Sequence, residues 1–429
     1  MIKRSFVGLA KPRITYKTFE LSEPEPREIS HPKTATLLLE SPYDPSGFRD
    51  TVGIGKGETV KTGQKLSLSG DSDAYVISTV TGTVSSVSGF FGDFGRSYNA
   101  ISIEVSEEEM DDQFEQAAGE PSLETAKRFL ARLPGNPSFD SFSDPEKPIS
   151  TIVVCGVDRD LLLATNSSAL TANADAIKSG IRILKQITGV EKIIIAVPQH
   201  LMMEGAATGA EARLVDSEYP ATLPHVIMQN ILGQVVPAGK DFEDAGVCFF
   251  SAEAVASLGA AFDTGRMPNK KRLTLIDKDG RQSLVSAVIG TPISDILTAF
   301  NITVNENDRI IIGGPMTGTS IYTEDFPVQP DTDGIMIQAD GDIPLVSEDP
   351  CINCGECVRI CPVKVPVNML VRYLEAGMYE TAADEYDLFS CIECGLCSFV
   401  CVSKMPIFQY IKVAKYELGR MSSAEATNE

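Results

Sequence analysis

CINCGECVRIC, residues 351–361, and CIECGLCSFVC, residues 391–401, are two copies of one phrase. They use eight of the ten cysteines in this 429-residue chain, each spaced C-x2-C-x2-C-x3-C. Thiols at i, i+3 and i+6 wrap a tight loop whose N–H groups turn toward the sulfurs. Gly355 and Gly395 follow the second cysteine of each run, where the backbone must come close. This is the ligand spacing of a [4Fe–4S] cubane, and the fourth cysteine of each run ligates the other run's cluster in two-cluster proteins. The expected sets are therefore Cys351, Cys354, Cys357 and Cys401 for one cluster, and Cys391, Cys394, Cys397 and Cys361 for the other. Pro362 follows the first run as the pattern asks, while Val402 stands in that place after the second. Structural zinc seldom uses a triple-then-single spacing, and disulfides suit a small secreted chain. The chain is expected to move single electrons.

Working outward, residues 344–418 read as a helical, two-[4Fe–4S] domain. Pro366–Glu385 reads as two short helices broken at Gly377, with Met369, Leu370 and Leu374 inward, and Pro406–Leu418 as an amphipathic helix. Ile352, Val358 and Ile360 around the first cluster, and Ile392, Leu396 and Phe399 around the second, are expected to shield the cubanes. Residues 419–429 read as a disordered tail. Upstream, residues 149–268 alternate apolar strands (STIVVCGV, KIIIAV, AGVCFF) with helical stretches such as Ala174–Thr188, which predicts a Rossmann-like parallel sheet. Cys155 and Cys248 fall inside these strands and read as small buried hydrophobes. Residues 269–343 read as a hairpin, a helix near Thr291 and Pro292, and a strand ending at Gly313–Gly314, a β-grasp arrangement.

Nearer the start, residues 36–106 are short strands broken by glycines, a barrel-sandwich-like β domain resembling the biotinyl/lipoyl type. The hairpin that would carry a modified lysine reads GDSDAYV, without lysine, so no lipoyl or biotin attachment is expected. Gly53, Gly55 and Gly57 follow no strand and open no helix, so they mark a turn and not a phosphate loop. Residues 107–148 read as an acidic linker and a helix capped by Ser122, and residues 1–35 as an extended arm. The fold class is thus multidomain α/β plus β.

A net charge of −22 argues against nucleic-acid binding and against attachment to anionic lipid. The only histidines are His31, His200 and His225, too few for a histidine metal site. No apolar run reaches eighteen residues, and the N-terminus lacks the apolar core of a secretory signal. With clustered thiolates, this places the chain in the cytoplasm.

The cysteine segment from CINCGECVRIC through CIECGLCSFVC, with the phrases ADAIKSGIRILKQITGVEKIIIAV, GQVVPAG and GTPISDIL, resembles the C subunit of the Rnf ferredoxin:NAD⁺ oxidoreductase complex, a family related to the flavin subunit of respiratory complex I. The resemblance covers most of residues 36–412. It implies the same domain order, with a β-grasp of the soluble-ligand-binding type. It also implies other iron–sulfur, flavin or membrane subunits as partners, and a peripheral place on the inner face of the cell membrane. The family binds FMN and NADH through a glycine-rich G-x-G-G-A-x-F-P loop. Here that region is LPGNPSFDSFSDPEKPIST, with Gly135 as its only glycine. Such a loop cannot bring several N–H groups to a phosphate. The family's N-x-x-E-x-E-P phrase appears as CGVDRDL, leaving Asp158 and Asp160 as the candidates for any surviving flavin site. Its Y-P-x-G-G-E phrase reads Tyr219-Pro220-Ala221-Thr222-Leu223-Pro224. The expectation is an electron-transfer subunit with two [4Fe–4S] clusters, without FMN and without its own NADH oxidation. The alternative is an FMN-dependent NADH/ferredoxin oxidoreductase subunit active in an altered pocket.

Overall fold

The computed structural model describes residues 25–40, 53–67, 75–92, 96–106, 111–216 and 218–428, with side chains as far as 422. The first 24 residues of the expected arm, most of the 70–76 hairpin and residues 107–110 of the linker lie outside this set. The architecture is mixed α/β with several sheets.

Four strands, Glu211–Leu214, Lys192–Val197, Thr151–Cys155 and Val247–Ser251, pair in that order and all in parallel. The apolar runs of the three strands other than the exposed edge strand Glu211–Leu214 follow from cover on both faces. Helices Ala174–Thr188 and Ala252–Thr264 bury Ile177, Ile181, Leu184, Val255 and Leu258 on one face. Val215, Ile227 and Met228 cover Val153 and Cys155 on the other. Ser251 caps the second helix, its hydroxyl accepting from the Ala254 N–H at 3.0 Å.

A six-stranded mixed sheet follows, in the order Arg27–Glu28, Gln282–Val288, Lys270–Ile276, Gly334–Gln338, Arg309–Ile312, Thr319–Ile321. Helix Ile293–Ala299 packs Ile293, Ile296 and Leu297 on it. The antiparallel sheet Thr34–Glu40, Ser97–Val105, Gly82–Phe91, Thr59–Val60 shares its core with Val288, the last residue of a strand of the larger sheet, and with Ile289 after it.

The cysteine region is helical: Glu356–Ile360, Val367–Glu375, Tyr379–Glu385, Leu396–Phe399 and Ile407–Asn428 enclose a core of Leu370, Val371, Leu374, Ile411 and Ala414. The last helix runs on to Asn428, which corrects the expectation of a disordered tail from 419. MSSAEATN carries neither Gly nor Pro, so nothing in it stops a helix already nucleated by the packed turns before it. Among the described residues no helix is long and apolar enough to cross a membrane.

Candidate functional site

The two cysteine runs repeat in backbone as well as in sequence. Each cysteine of the second lies forty residues after its counterpart in the first. The left-handed residues repeat at the same interval: Asn353 and Glu393 (φ 58° and 54°), Gly355 and Gly395 (78° and 72°), Lys364 and Lys404 (63° and 53°). Gly355 and Gly395 each precede a short helix bearing the third cysteine, Cys357 or Cys397. Pro366 and Pro406 each precede one of the helices whose apolar faces meet in the shared core. The sequence shows the cysteine repeat openly; the matching left-handed pairs are visible only in the backbone.

The structure gathers the eight cysteines into two quartets. Cys351, Cys354, Cys357 and Cys401 line one cavity, walled by Val371, Met405 and Ile407. Cys361, Cys391, Cys394 and Cys397 line the second, walled by Val367, Phe408 and Ile411. All ten cysteines are free thiols. Among the described residues no three His, Cys, Asp or Glu side chains close on a point where a single ion would sit. Each quartet lines a cavity instead. Burial, with the neighbouring sulfurs adding to it, pushes the thiols of Cys357 and Cys394 up to about 12 and holds Cys397 well above its ordinary value. Thiolates in such a pocket require a cationic centre to offset their charge. The donor set and its apolar walls therefore fit a [4Fe–4S] cubane at each cavity.

The surroundings of the two cavities differ. Three cysteines of the first quartet are half-buried, against one of the second. The second loop is clasped by the rest of the chain. Tyr219 Oη donates to the Cys394 carbonyl at 2.7 Å. Lys415 Nζ donates to the Cys391 carbonyl at 2.7 Å and to Glu393 Oε1 at 2.8 Å. A Cβ at Gly395 would stand 2.2 Å from the Met316 carbonyl oxygen, so only glycine fits there. Tyr219, Leu223 and Met316 pack on Ile360, Ile392 and Leu396. Ile352 lines the first cavity as expected while standing 67% exposed; Phe399, 59% exposed, lines neither cavity. Ile360, expected beside the first cluster, packs instead with the second run.

Asp158 and Asp160 both make contacts internal to the fold. Asp158 accepts from the Asn166 N–H at 2.7 Å and the Ser167 hydroxyl at 2.6 Å, holding the first turn of helix Thr165–Ala172. The buried Asp160 carboxylate accepts from the N–H groups of Leu161 (2.6 Å), Met316 (3.1 Å) and Thr317 (2.7 Å), and from the Thr317 hydroxyl (2.6 Å). Burial raises both carboxyls above their ordinary range, and these hydrogen bonds oppose it. Asp160 thus organises the loop whose Met316 carbonyl abuts Gly395. Sequence reading missed that link, since no local signal joins residues 160 and 316. The 134–150 loop is likewise anchored inward. Gly135 donates to the Pro330 carbonyl at 2.9 Å, and a Cβ there would meet Ser251 Oγ at 2.3 Å. Leu133 and Phe139 are buried, Phe139 against Phe250 at 5.7 Å.

Residues 343–402 match the 4Fe-4S dicluster domain family, which sets the class of this part of the chain. Over larger parts of its length the chain is similar to curated C subunits of ion-translocating oxidoreductase complexes, at 23% to 30% identity. It is 27% identical over 245 residues to the C subunit of the Na(+)-translocating ferredoxin:NAD(+) oxidoreductase complex of Acetobacterium woodii, covering 55% of each chain. It is 29% identical over 284 residues to the C subunit of the proton-translocating ferredoxin:NAD(+) oxidoreductase complex of Clostridium ljungdahlii, covering 64% of this chain and 62% of that one. With the C subunit of the ion-translocating oxidoreductase complex of Pectobacterium carotovorum the identity is 23% over 383 residues, 84% of this chain and 51% of that one. The match thus spans about half to three-fifths of these relatives' length. A chain of an NAD+-reducing [NiFe]-hydrogenase gives a TM-score of 0.48 at 13% identity, over 70% of this chain and 64% of that one.

Proposed function

We propose that this protein is an electron-transfer subunit carrying two [4Fe–4S] clusters, one held by Cys351, Cys354, Cys357 and Cys401, the other by Cys391, Cys394, Cys397 and Cys361. It serves within a larger redox complex, peripheral on the inner face of the cell membrane, and does not itself oxidise NADH. Its partners are other redox subunits of that complex. The observation that carries this reading is the pair of four-cysteine cavities, each combining three thiols of one run with the last thiol of the other. A bound cubane supplies one-electron exchange at a potential tuned by nearby charge, hydrogen bonds and solvent exposure. The protein's own part is to hold the thiols, exclude water with Val371, Met405, Ile407, Phe408 and Ile411, and fix the second loop through Tyr219 and Lys415.

In the same reading the parallel sheet is a Rossmann-like domain, the six-stranded sheet a β-grasp and the first antiparallel sheet a barrel-sandwich. Asp158, Asp160 and the inward-anchored 134–150 loop support a Rossmann-like domain without FMN. The test is the cofactor content of anaerobically purified protein. About eight iron and eight acid-labile sulfides without flavin are expected for two cubanes. Stoichiometric FMN would turn the reading to an FMN-dependent NADH oxidoreductase.

A further inference from the structure

The two cavities differ in their surroundings: three thiols of the first are half-buried against one of the second, and Tyr219, Leu223 and Met316 pack on Ile392 and Leu396 of the second run. The first is rimmed by apolar side chains that face solvent: Ile352 and Val402, 67% and 60% exposed, both line it. Residues 344–350 run beside it, pinned by the Ser347 N–H to the Lys404 carbonyl at 3.1 Å and by the Ser403 hydroxyl to the Pro350 carbonyl at 3.4 Å. On this segment Leu345 and Val346 are 84% and 63% exposed. Exposed apolar side chains gathered in one place mark a binding face more often than chance scatter does. On the same segment stand the exposed carboxylates Glu348 and Asp349, with Lys404 on the facing segment.

We propose that the Leu345–Val346–Ile352–Val402 face is where this chain exchanges electrons with another protein, a redox protein whose own contact face is apolar at its centre and basic at its rim. This rests on the electron-transfer reading given above. Charge selects the occupant. A second copy of this chain would bring the same carboxylates and a net charge of −22 against them, and an anionic membrane surface would be repelled for the same reason. A basic rim complements the carboxylates and steers the encounter, while the apolar centre excludes water above the first cavity. Each encounter passes one electron: one centre is oxidised by one, the other reduced by one, and no bond is made or broken.

The test uses ferricytochrome c, a basic one-electron haem protein, as the probe. Full-length protein is reduced anaerobically with dithionite and mixed with the probe in a stopped-flow cell. Leu345→Gln/Val346→Gln is expected to lower the second-order rate about ten-fold, and Glu348→Gln/Asp349→Gln to flatten its dependence on ionic strength. Met203→Gln/Val235→Gln, at positions 82% and 72% exposed elsewhere on the chain, is expected to leave the rate within about two-fold of wild type. A second readout needs no turnover: amides of residues 344–350 should gain protection from hydrogen exchange when the probe is added. Clusters that form and react with ferricyanide, yet meet cytochrome c at rates and with protection indifferent to the patch, overturn this inference alone. A wild-type chain that carries no cluster overturns it together with the electron-transfer reading.

Discussion

The Tyr219 hydroxyl donates a 2.7 Å hydrogen bond to the backbone carbonyl of Cys394, joining residues 175 positions apart. Tyr219 lies in the phrase after the parallel sheet's edge strand Glu211–Leu214, Cys394 in the middle of the second cysteine run, and both are buried. Tyr219→Phe keeps the ring and leaves the carbonyl without this donor, at a cost of about 1–3 kcal/mol. The expected outcome is faster amide exchange across residues 391–396 and earlier loss of iron to a chelator from one of two clusters, with the other unaffected. Equal loss from both would contradict the clasp.

Cross-ligation is tested by single serine substitutions. Cys361 belongs to the first run in sequence but lines the cavity of the second. Cys361→Ser should therefore disturb the cluster built on Cys391, Cys394 and Cys397, and leave about four of eight irons in place. Cys401→Ser should do the reverse. Iron counts with paramagnetic resonance of the reduced protein separate these outcomes. Cys155→Ala and Cys248→Ala should leave iron content unchanged. Both thiols are buried in strands, where burial pushes them up to about 11 and about 12.

Much of the fold and site is legible in the sequence because the signals are local. The cysteine spacing, the Ser122 cap and the apolar run of Thr151–Cys155 each act over a few residues, and each lies where its pattern puts it. The tail beyond 419 is not legible in this way, because polar composition alone says nothing about a helix entering from packed turns upstream. Asp160 is a different case. Its acidity invites a ligand role, and sequence gives no sign of its partners, the Met316 and Thr317 amides, which lie 156 and 157 residues away. Exposure at Ile352 and Phe399 cannot be read either, since an isoleucine beside a ligand cysteine looks the same whether or not another part of the chain covers it.

Asp160→Asn separates a fold role from a cofactor role. The amide would keep one acceptor and turn a donor toward N–H or O–H groups now paired with the carboxylate. A loss of about 1–3 kcal/mol in stability follows from the broken buried hydrogen bonds. The loop 314–318 should exchange its amides faster, and flavin content should be the same in variant and wild type. A variant that released flavin bound by the wild type would instead assign Asp160 to a flavin site.

Lys271, in strand Lys270–Ile276, is a buried charge that no sequence pattern announces; its side chain is fully enclosed. Its Nζ donates to Glu253 Oε2 in helix Ala252–Thr264, to Asp333 Oδ1 at 3.0 Å and to its neighbour Arg272's carbonyl at 2.7 Å. These contacts lock the parallel sheet's helix to the six-stranded sheet. Burial works to lower the Lys271 value, but Glu253 and Asp333 outweigh it and hold the ammonium above the ordinary lysine range. Lys271→Met leaves Glu253 buried without its cation and should cost about 3–5 kcal/mol, and Lys271→Met/Glu253→Leu should recover much of it. The pH dependence has a definite sign. Because the folded value is raised, the contribution is fully present below the unfolded lysine value of about 10.4 and fades as pH climbs through the folded value. Denaturant titrations of wild type and Lys271→Met should therefore differ by a constant amount from neutral pH to about pH 10 and converge above it. A gap that widens with alkali would show that Lys271 is not held as an ammonium in the folded chain.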